Sequence, residues 1–254
     1  MSGENNSRTD AERALEAVTT IGAALAWFGE PMLGAAMTFA GTGISHLLGR
    51  RFQTFVGEIR ERLERLEEQG LVSLKTLARD EAFVTDLLTA LRLATQTHRE
   101  EKREALRNGV LNAAMQRCPD EEQRTMFFRM IDELGISHLR VLRFLQDPAG
   151  VVSDEQKTAA RSDVAGLGPE EFVMNSLPEL ADRELVSQII LELRNRGLLR
   201  PDYPGAGSRA SLGMYLKRWT MPFGDRFLDF VTEPAQGAQR AQEGRTDDGQ
   251  HHAT

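Results

Sequence analysis

One stretch near the N-terminus is almost free of charge, and it limits what this chain can fold into. Between Ala17 and Gly49 the only charged residue is Glu30, and the run from Pro31 to Gly49 contains no acidic residue, lysine or arginine. A bilayer-spanning helix needs about 20 mainly apolar residues, so this run lies at the lower limit of that length. The stretch therefore predicts either a segment that enters a membrane or a helical hairpin that is buried in the protein core.

The break within this stretch predicts two helices over residues 14–51. Pro31 cannot donate a helical hydrogen bond and disfavours helix at Glu30. Glycines and alanines give the second helix small sides, which allow close helix packing in lipid or in a core. Because Glu30 and Pro31 also weaken insertion, the membrane and the core interpretations both stay open. The residues predicted to engage membrane or to pack closely are Trp27, Phe28, Gly34, Phe39, Gly41 and Gly43.

The charge balance and the cysteine content narrow the class of protein. The 254 residues carry a net charge of -7, which argues against broad binding to nucleic acid, because such binding depends on an excess of lysine and arginine. A single cysteine, Cys118, excludes an intramolecular disulfide and fits a reducing compartment. The first sixteen residues lack the positive region of a secretion signal. The expected location is the cytoplasm, with association to the inner membrane if the apolar stretch engages it.

Hydrophobic residues at spacings of three and four predict an amphipathic helical region over residues 52–118. Its first helix, 51–69, places Phe55, Ile59 and Leu63 on one face. Asp80 is predicted to cap the next long helix, and the pair Thr97 and Glu100 matches a capping box. The polar ends of the chain, 1–13 and 233–254, are predicted to be disordered.

Residues 119–232 have the element order of a winged-helix domain. Helices are predicted at 137–146, 170–180, 182–196 and 223–231, with a β-hairpin over 198–219 that forms a small wing. The third helix of this order would bury Leu185, Ile189, Ile190 and Leu193. A winged helix can bind DNA through that helix or can bind a protein, and the acidic totals favour the protein. The residues predicted for nucleic-acid or partner contact are Arg194, Arg196, Lys217 and Arg218.

No set of residues in the sequence indicates a catalytic site. Pro119-Asp120 and Glu155-Gln156-Lys157 echo a nuclease pattern, but neither segment is predicted as a strand, so the match is attributed to chance. Cys118 has no identifiable activating partner, and the histidines lack metal-ligand spacing. The expected protein is non-enzymatic and mainly α-helical, with no cofactor or metal.

Several segments of the chain together carry a family resemblance. They are Gly41–Arg51 running into Phe52–Leu66, then 132–139 (DELGISHL), 195–199 (NRGLL) and 219–227 (WTMPFGDRF). With these segments the chain resembles bacterial proteins of the Abi-alpha (abortive infection alpha) type. The resemblance implies a role in phage defence, and no catalytic residues transfer with it. The leading hypothesis is a defence effector or accessory protein with a membrane-engaging hairpin, and the alternative is a soluble winged-helix regulator or adaptor that binds DNA or a protein.

Overall fold

The computed structural model of the chain describes residues 44–118, 120–153, 166–205 and 207–234. Within these ranges the protein is mainly helical, with two isolated β-bridges and no β-strand. The chain divides into two compact units. The described part of unit 1 comprises 44–132 and 230–234, and unit 2 is Glu133–Asp229. Unit 2 is therefore an insertion in the sequence of unit 1, and the division after Asp132 differs from the domain boundary at 118/119 that the sequence suggests.

Unit 1 is built from helices whose apolar faces form its core. The side chains of Phe55, Ile59 and Leu63 recur every four residues along the first helix, and all three are buried. The later helices bury Leu87, Leu91 and other aliphatic residues in the same way. The helices are α1 (Ile44–Glu68), α2 (Leu74–Leu77), α3 (Glu81–Gln96), α4 (Glu100–Ala114) and α5 (Glu121–Glu133), of which the last residue belongs to unit 2.

The ends of these helices confirm some predicted caps and correct others. The Asp80 carboxylate accepts hydrogen bonds from the amides of Ala82 and Phe83, as a cap does. The capping box at Thr97 is wrong, because α4 begins at Glu100 and its N-cap residue, Arg99, makes no side-chain capping bond. The predicted boundary near Arg51 is also absent, since α1 runs unbroken from Ile44 to Glu68.

A buried ion pair joins α3 and α5 inside unit 1. The Arg124 Nε atom donates to the Asp86 carboxylate over 2.5 Å, and both residues are less than a tenth exposed. The Arg124 guanidinium also donates to the carbonyl of Cys118 over 2.9 Å. Desolvation by burial raises the pKa of Asp86 even though Arg124 opposes the shift. Removing either residue would therefore leave the charge of the other buried without a partner, which is costly in free energy.

Unit 2 consists of short helices around an aromatic core. Two aromatic pairs form its centre. Phe172 stacks on Tyr215, with ring centroids 4.8 Å apart, and Tyr203 contacts Trp219 edge-on. The isolated bridges pair Leu167 with Ala210 and Leu199 with Thr220. The helices are α6 (Ile136–Gln146), α7 (Pro148–Val151), α8 (Pro169–Ser176), α9 (Arg183–Asn195), α10 (Leu212–Tyr215) and α11 (Pro222–Phe230), of which the last residue belongs to unit 1.

The segment predicted as a β-hairpin has another structure. Of the alternating residues Met214, Leu216 and Trp219, the first lies in the helical turn α10, the second is its C-cap and the third follows it. The described part of 198–219 contains no strand. The two ends of the segment are joined by a single β-bridge between Leu199 and Thr220, in place of the ladder of a hairpin. The predicted helices on either side are confirmed as α9 and α11.

The predicted membrane or packing residues lie outside the described residues. Trp27, Phe28, Gly34, Phe39, Gly41 and Gly43 all precede Ile44, as does the segment 1–13. Among the helices that the structure describes, none combines the length and the apolar character that crossing a bilayer requires. Most of the predicted disordered tail, 235–254, also lies outside, but Glu233 and Pro234 are placed in unit 1, and Pro234 is buried.

Candidate functional site

Helix α9 is fixed in unit 2 by its cap and by one apolar face. The Asp182 carboxylate accepts hydrogen bonds from the amides of Glu184 and Leu185 over 2.9 and 3.1 Å. Gly197, with a φ of +70°, ends the helix in the left-handed conformation that glycine adopts most readily. The buried face consists of Val186, Ile189, Ile190 and Leu193. The prediction that Leu185 belongs to this face is wrong, because Val186 takes that place and Leu185 is 45% exposed.

The opposite side of α9 presents leucines to solvent without a basic residue among them. Leu185 and Leu191 are among the most exposed large apolar side chains of the described residues, and Leu191 is 42% exposed. The spacing of three, four and seven residues places Glu184, Gln188, Leu191 and Asn195 on one side of the helix, and Leu185 lies at the edge of that side, about 120° around the helix axis from Leu191. This surface, named the α9 outer face, consists of Glu184, Leu185, Gln188, Leu191 and Asn195.

Three of the four basic residues predicted for nucleic-acid or partner contact make bonds inside unit 2. Arg196 donates to Glu133 over 2.6 Å and to Glu192 over 3.0 Å. Arg218 pairs with Asp225 at 2.6 Å, and Arg194 donates to the carbonyl of Tyr203 over 3.4 Å. The fourth, Lys217, is exposed. An arginine that pairs with a carboxylate has less charge to offer a phosphate, and this applies to Arg196 and Arg218.

A histidine and a glutamate connect α6 and α9. The Nδ1 atom of His138 accepts from the amide of Gly135 over 3.2 Å, so the proton lies on Nε2, which donates to Glu192 over 2.8 Å. The hydrogen bond from Arg196, followed by that from His138, lowers the pKa of Glu192. In the sequence, the four-residue spacing of Glu192 and Arg196 indicates that these two side chains can pair on one helix. No such spacing indicates the contact of His138 with Glu192, because the two residues lie 54 positions apart.

A buried carboxylate and two phenols lie near the aromatic core of unit 2. The Glu170 Oε2 atom lies 3.6 Å from the Arg183 guanidinium and makes no hydrogen bond among the described residues. Burial raises the pKa of Tyr203 and raises that of Tyr215 to about 12. Both phenols are therefore protonated at neutral pH, and neither can serve as a base there.

The residues that the structure describes contain no group of three or more histidine, cysteine, aspartate or glutamate side chains that could hold a metal ion. Cys118 is buried in unit 1, and its sulfur lies 3.5 Å from the side-chain oxygen of Gln123.

Comparisons with known proteins leave the family resemblance as a prediction. No protein-family model, no curated protein and no solved structure matches this chain. The resemblance to Abi-alpha proteins therefore depends on the residues quoted for it in the sequence.

Proposed function

We propose that the chain is a non-enzymatic adaptor whose unit 2 is a winged-helix-like module that binds a protein partner. The observation that carries this proposal is the α9 outer face, where Leu185 and Leu191 are exposed with no basic side chain between them. An exposed helix with apolar anchors and a polar surround is typical of a surface that packs against another protein.

The order of the elements supports the winged-helix-like part of the proposal. Helix α6 is followed by the short helix α7, the bridge residue Leu167, then α8 and α9, then the bridged residues Leu199 and Thr220 with the turn α10 between them, and then α11. A winged helix has the same order of helices and short strands, although here each strand is reduced to a bridge. In that order α9 occupies the place of the recognition helix.

The charges around α9 favour a protein over DNA. A DNA-binding recognition helix contacts base edges while basic residues contact the phosphates, and the affinity falls steeply with salt. Here Arg196 and Arg218 pair with carboxylates of unit 2, and the α9 outer face carries Glu184. Less than half of each leucine is exposed, so burial of that remaining surface against a partner contributes about 1 kcal/mol per leucine before the costs of association.

The second candidate is an abortive-infection-type effector or accessory protein of bacterial phage defence that engages the inner membrane. The observation that favours it is the run from Pro31 to Gly49, which contains no acidic residue, lysine or arginine. In this candidate Trp27, Phe28 and Phe39 anchor the segment at the lipid interface, as aromatic residues commonly do. The small residues Gly34, Gly41 and Gly43 would let two helices approach closely.

Flotation of the full chain with vesicles of phosphatidylethanolamine and phosphatidylglycerol separates the two candidates. The adaptor proposal predicts that the chain stays with the soluble fraction and that Gly41→Glu does not change this distribution. The effector proposal predicts that the chain floats and that Gly41→Glu abolishes flotation, because a charge within the apolar run costs about 2.5–3.5 kcal/mol at the bilayer centre. The matched control is Gly57→Glu, which places the same charge on α1, where a Cβ meets nothing within 4 Å.

A further inference from the structure

The last residues that the structure describes form a strap against unit 1. Phe230, Val231, Thr232, Glu233 and Pro234 follow unit 2 directly in the sequence and belong to unit 1, and all but Glu233 are buried. We name them the C-terminal strap. The strap contacts α4, so a segment more than a hundred residues away in sequence completes this side of unit 1.

Two asparagine side chains of α4 hold the main chain of the strap. Asn108 donates to the carbonyl of Val231 over 3.0 Å, and Asn112 donates to the carbonyls of Phe230 and Thr232 over 2.9 and 2.8 Å. Three consecutive carbonyl groups are thereby satisfied by side chains one helical turn apart. A buried side-chain amide without a hydrogen-bond partner costs free energy. Asn108 and Asn112 therefore need carbonyl groups of a neighbouring main chain to accept their hydrogen bonds.

The orientation of Asn108 is set from the other side by a charged side chain. The Arg62 guanidinium donates to the Asn108 carbonyl oxygen over 3.3 Å, which leaves the amide nitrogen directed at Val231. Arg62 is itself held by Glu104 over 2.9 Å. Beyond Asn112, Arg117 donates to the carbonyl of Pro234 over 2.7 Å, which extends the hold to the end of the strap.

A glycine in α4 leaves room for the aromatic ring of the strap. A Cβ atom at Gly109 would lie 2.8 Å from Phe230 Cε1 and 3.1 Å from Phe128 Cε1. The Phe230 ring therefore lies directly on the backbone of α4, in edge contact with Phe128 at 5.2 Å and tilted against Phe127 at 5.3 Å. Any larger residue at 109 would fill the space that this ring occupies.

We propose that this side of α4 is a peptide-binding site and that the C-terminal strap is its ligand in cis. The site selects an aromatic side chain through the space above Gly109, and it binds the following main chain through Asn108 and Asn112. Because carbonyl groups carry no sequence information, the class of ligand is an aromatic residue followed by two residues of small or aliphatic type. The inference concerns unit 1 and does not depend on the proposed function of unit 2.

The proposal requires that the strap leave the site while the helices of unit 1 stay folded. The strap is held by hydrogen bonds from Asn108, Asn112 and Arg117 and by the burial of Phe230, Val231, Thr232 and Pro234. Segments outside the core helices commonly open locally at a lower free energy than those helices. Once open, the site would be free for a segment of the same pattern from another chain, at the cost of competing with a ligand of high effective concentration.

The test uses the full chain with its own anchor removed. Phe230→Ala empties the space above Gly109 and leaves the binding residues in place. A fluorescently labelled peptide of residues 229–238 (DFVTEPAQGA) should bind this variant saturably, and should bind the wild-type chain at least about tenfold more weakly because the strap competes. The same peptide with alanine in place of Phe230 should not bind. Adding Asn112→Ala to the variant should weaken binding about tenfold, because two hydrogen bonds are lost.

Hydrogen exchange of the wild-type chain gives a second measurement that needs no variant. The amides of Val231 and Thr232 should exchange by local opening, well before those of Val110 and Leu111 in α4. If the folded Phe230→Ala chain does not bind the peptide, or binds the alanine peptide equally well, the site is not a peptide-binding site. Exchange of the strap only together with α4 would equally overturn the proposal, because the strap would then be an inseparable part of the core.

Discussion

Gly224→Ala is expected to destabilise unit 2 by about 3 kcal/mol, the upper end of the usual cost of overpacking, because the added carbon would meet backbone atoms that cannot move aside easily. A Cβ atom at Gly224 would lie 2.3 Å from the carbonyl oxygen of Leu198 and 3.1 Å from its carbonyl carbon. These are backbone atoms next to the bridge between Leu199 and Thr220, so relief of the clash would separate α11 from the segment that follows α9. Urea unfolding followed by circular dichroism measures the loss.

Gly213→Ala is the matched control for this substitution. Gly213 lies in the helical turn α10 of the same unit, and a Cβ atom there meets nothing within 4 Å. Alanine favours helix over glycine by up to about 1 kcal/mol, so this variant should be as stable as the wild type or slightly more stable. Equal unfolding midpoints for the wild type, Gly213→Ala and Gly224→Ala would show that α11 does not approach Leu198 as described.

Arg124→Met is expected to destabilise unit 1 by about 3–5 kcal/mol, the usual cost of removing one partner of a buried ion pair. Methionine fills much of the volume of arginine but leaves the Asp86 carboxylate buried without its cation. The pKa of Asp86 is already raised from 3.8 by desolvation, and without Arg124 it should rise further. A carboxyl with a raised pKa in the folded state favours folding when it is protonated. The stability of the variant should therefore improve as the pH falls towards 3.8.

Arg60→Met provides the control for loss of an ion pair at the surface. Arg60 pairs with Glu64 at 2.8 Å within α1, and the arginine side chain is 61% exposed. Exposed pairs of this spacing contribute about 0.3–0.5 kcal/mol, so the variant should unfold close to the wild type at every pH. If both arginine variants lost the same small amount of stability, the Asp86–Arg124 pair would not carry the energy assigned to it.

The local signals in the sequence predict the helices well. Asp80 and Asp182 cap the helices that follow them, and the apolar spacing of Phe55, Ile59 and Leu63 identifies the buried face of α1. These features depend on residues within one or two turns of each other, which is why a sequence pattern can indicate them. The mainly α-helical fold class is confirmed for the same reason.

Features that depend on distant residues could not be predicted. The strap is held by Asn108 and Asn112, which lie about 120 positions before the carbonyl groups that they bind. The alternation through Met214 suggests a strand, but α10 forms there because Leu212 and Tyr215, three residues apart, are the buried pair. Local patterns do not reveal which of two possible faces the rest of the chain will cover.

The candidate site shows the same limit on a smaller scale. The sequence identifies α9 and the arginines near it. The ion pairs of Arg196 with Glu133 and of Arg218 with Asp225 form only when unit 2 is folded. A shift of one position in the buried face, from Leu185 to Val186, converts a predicted core residue into an exposed one. The α9 outer face therefore becomes visible only in the folded unit.

Photo-crosslinking from position 191 in cells that contain the natural partner tests the central claim most directly. The full chain would carry benzoylphenylalanine in place of Leu191, with a second chain labelled at Val151, an exposed residue of unit 2 outside α9, as the control. The account predicts one discrete protein adduct from position 191, its loss when Leu185→Glu is added, and none from position 151. Nucleic-acid adducts, or protein adducts that are equal at both positions and unaffected by Leu185→Glu, would contradict the claim that the α9 outer face binds a protein partner.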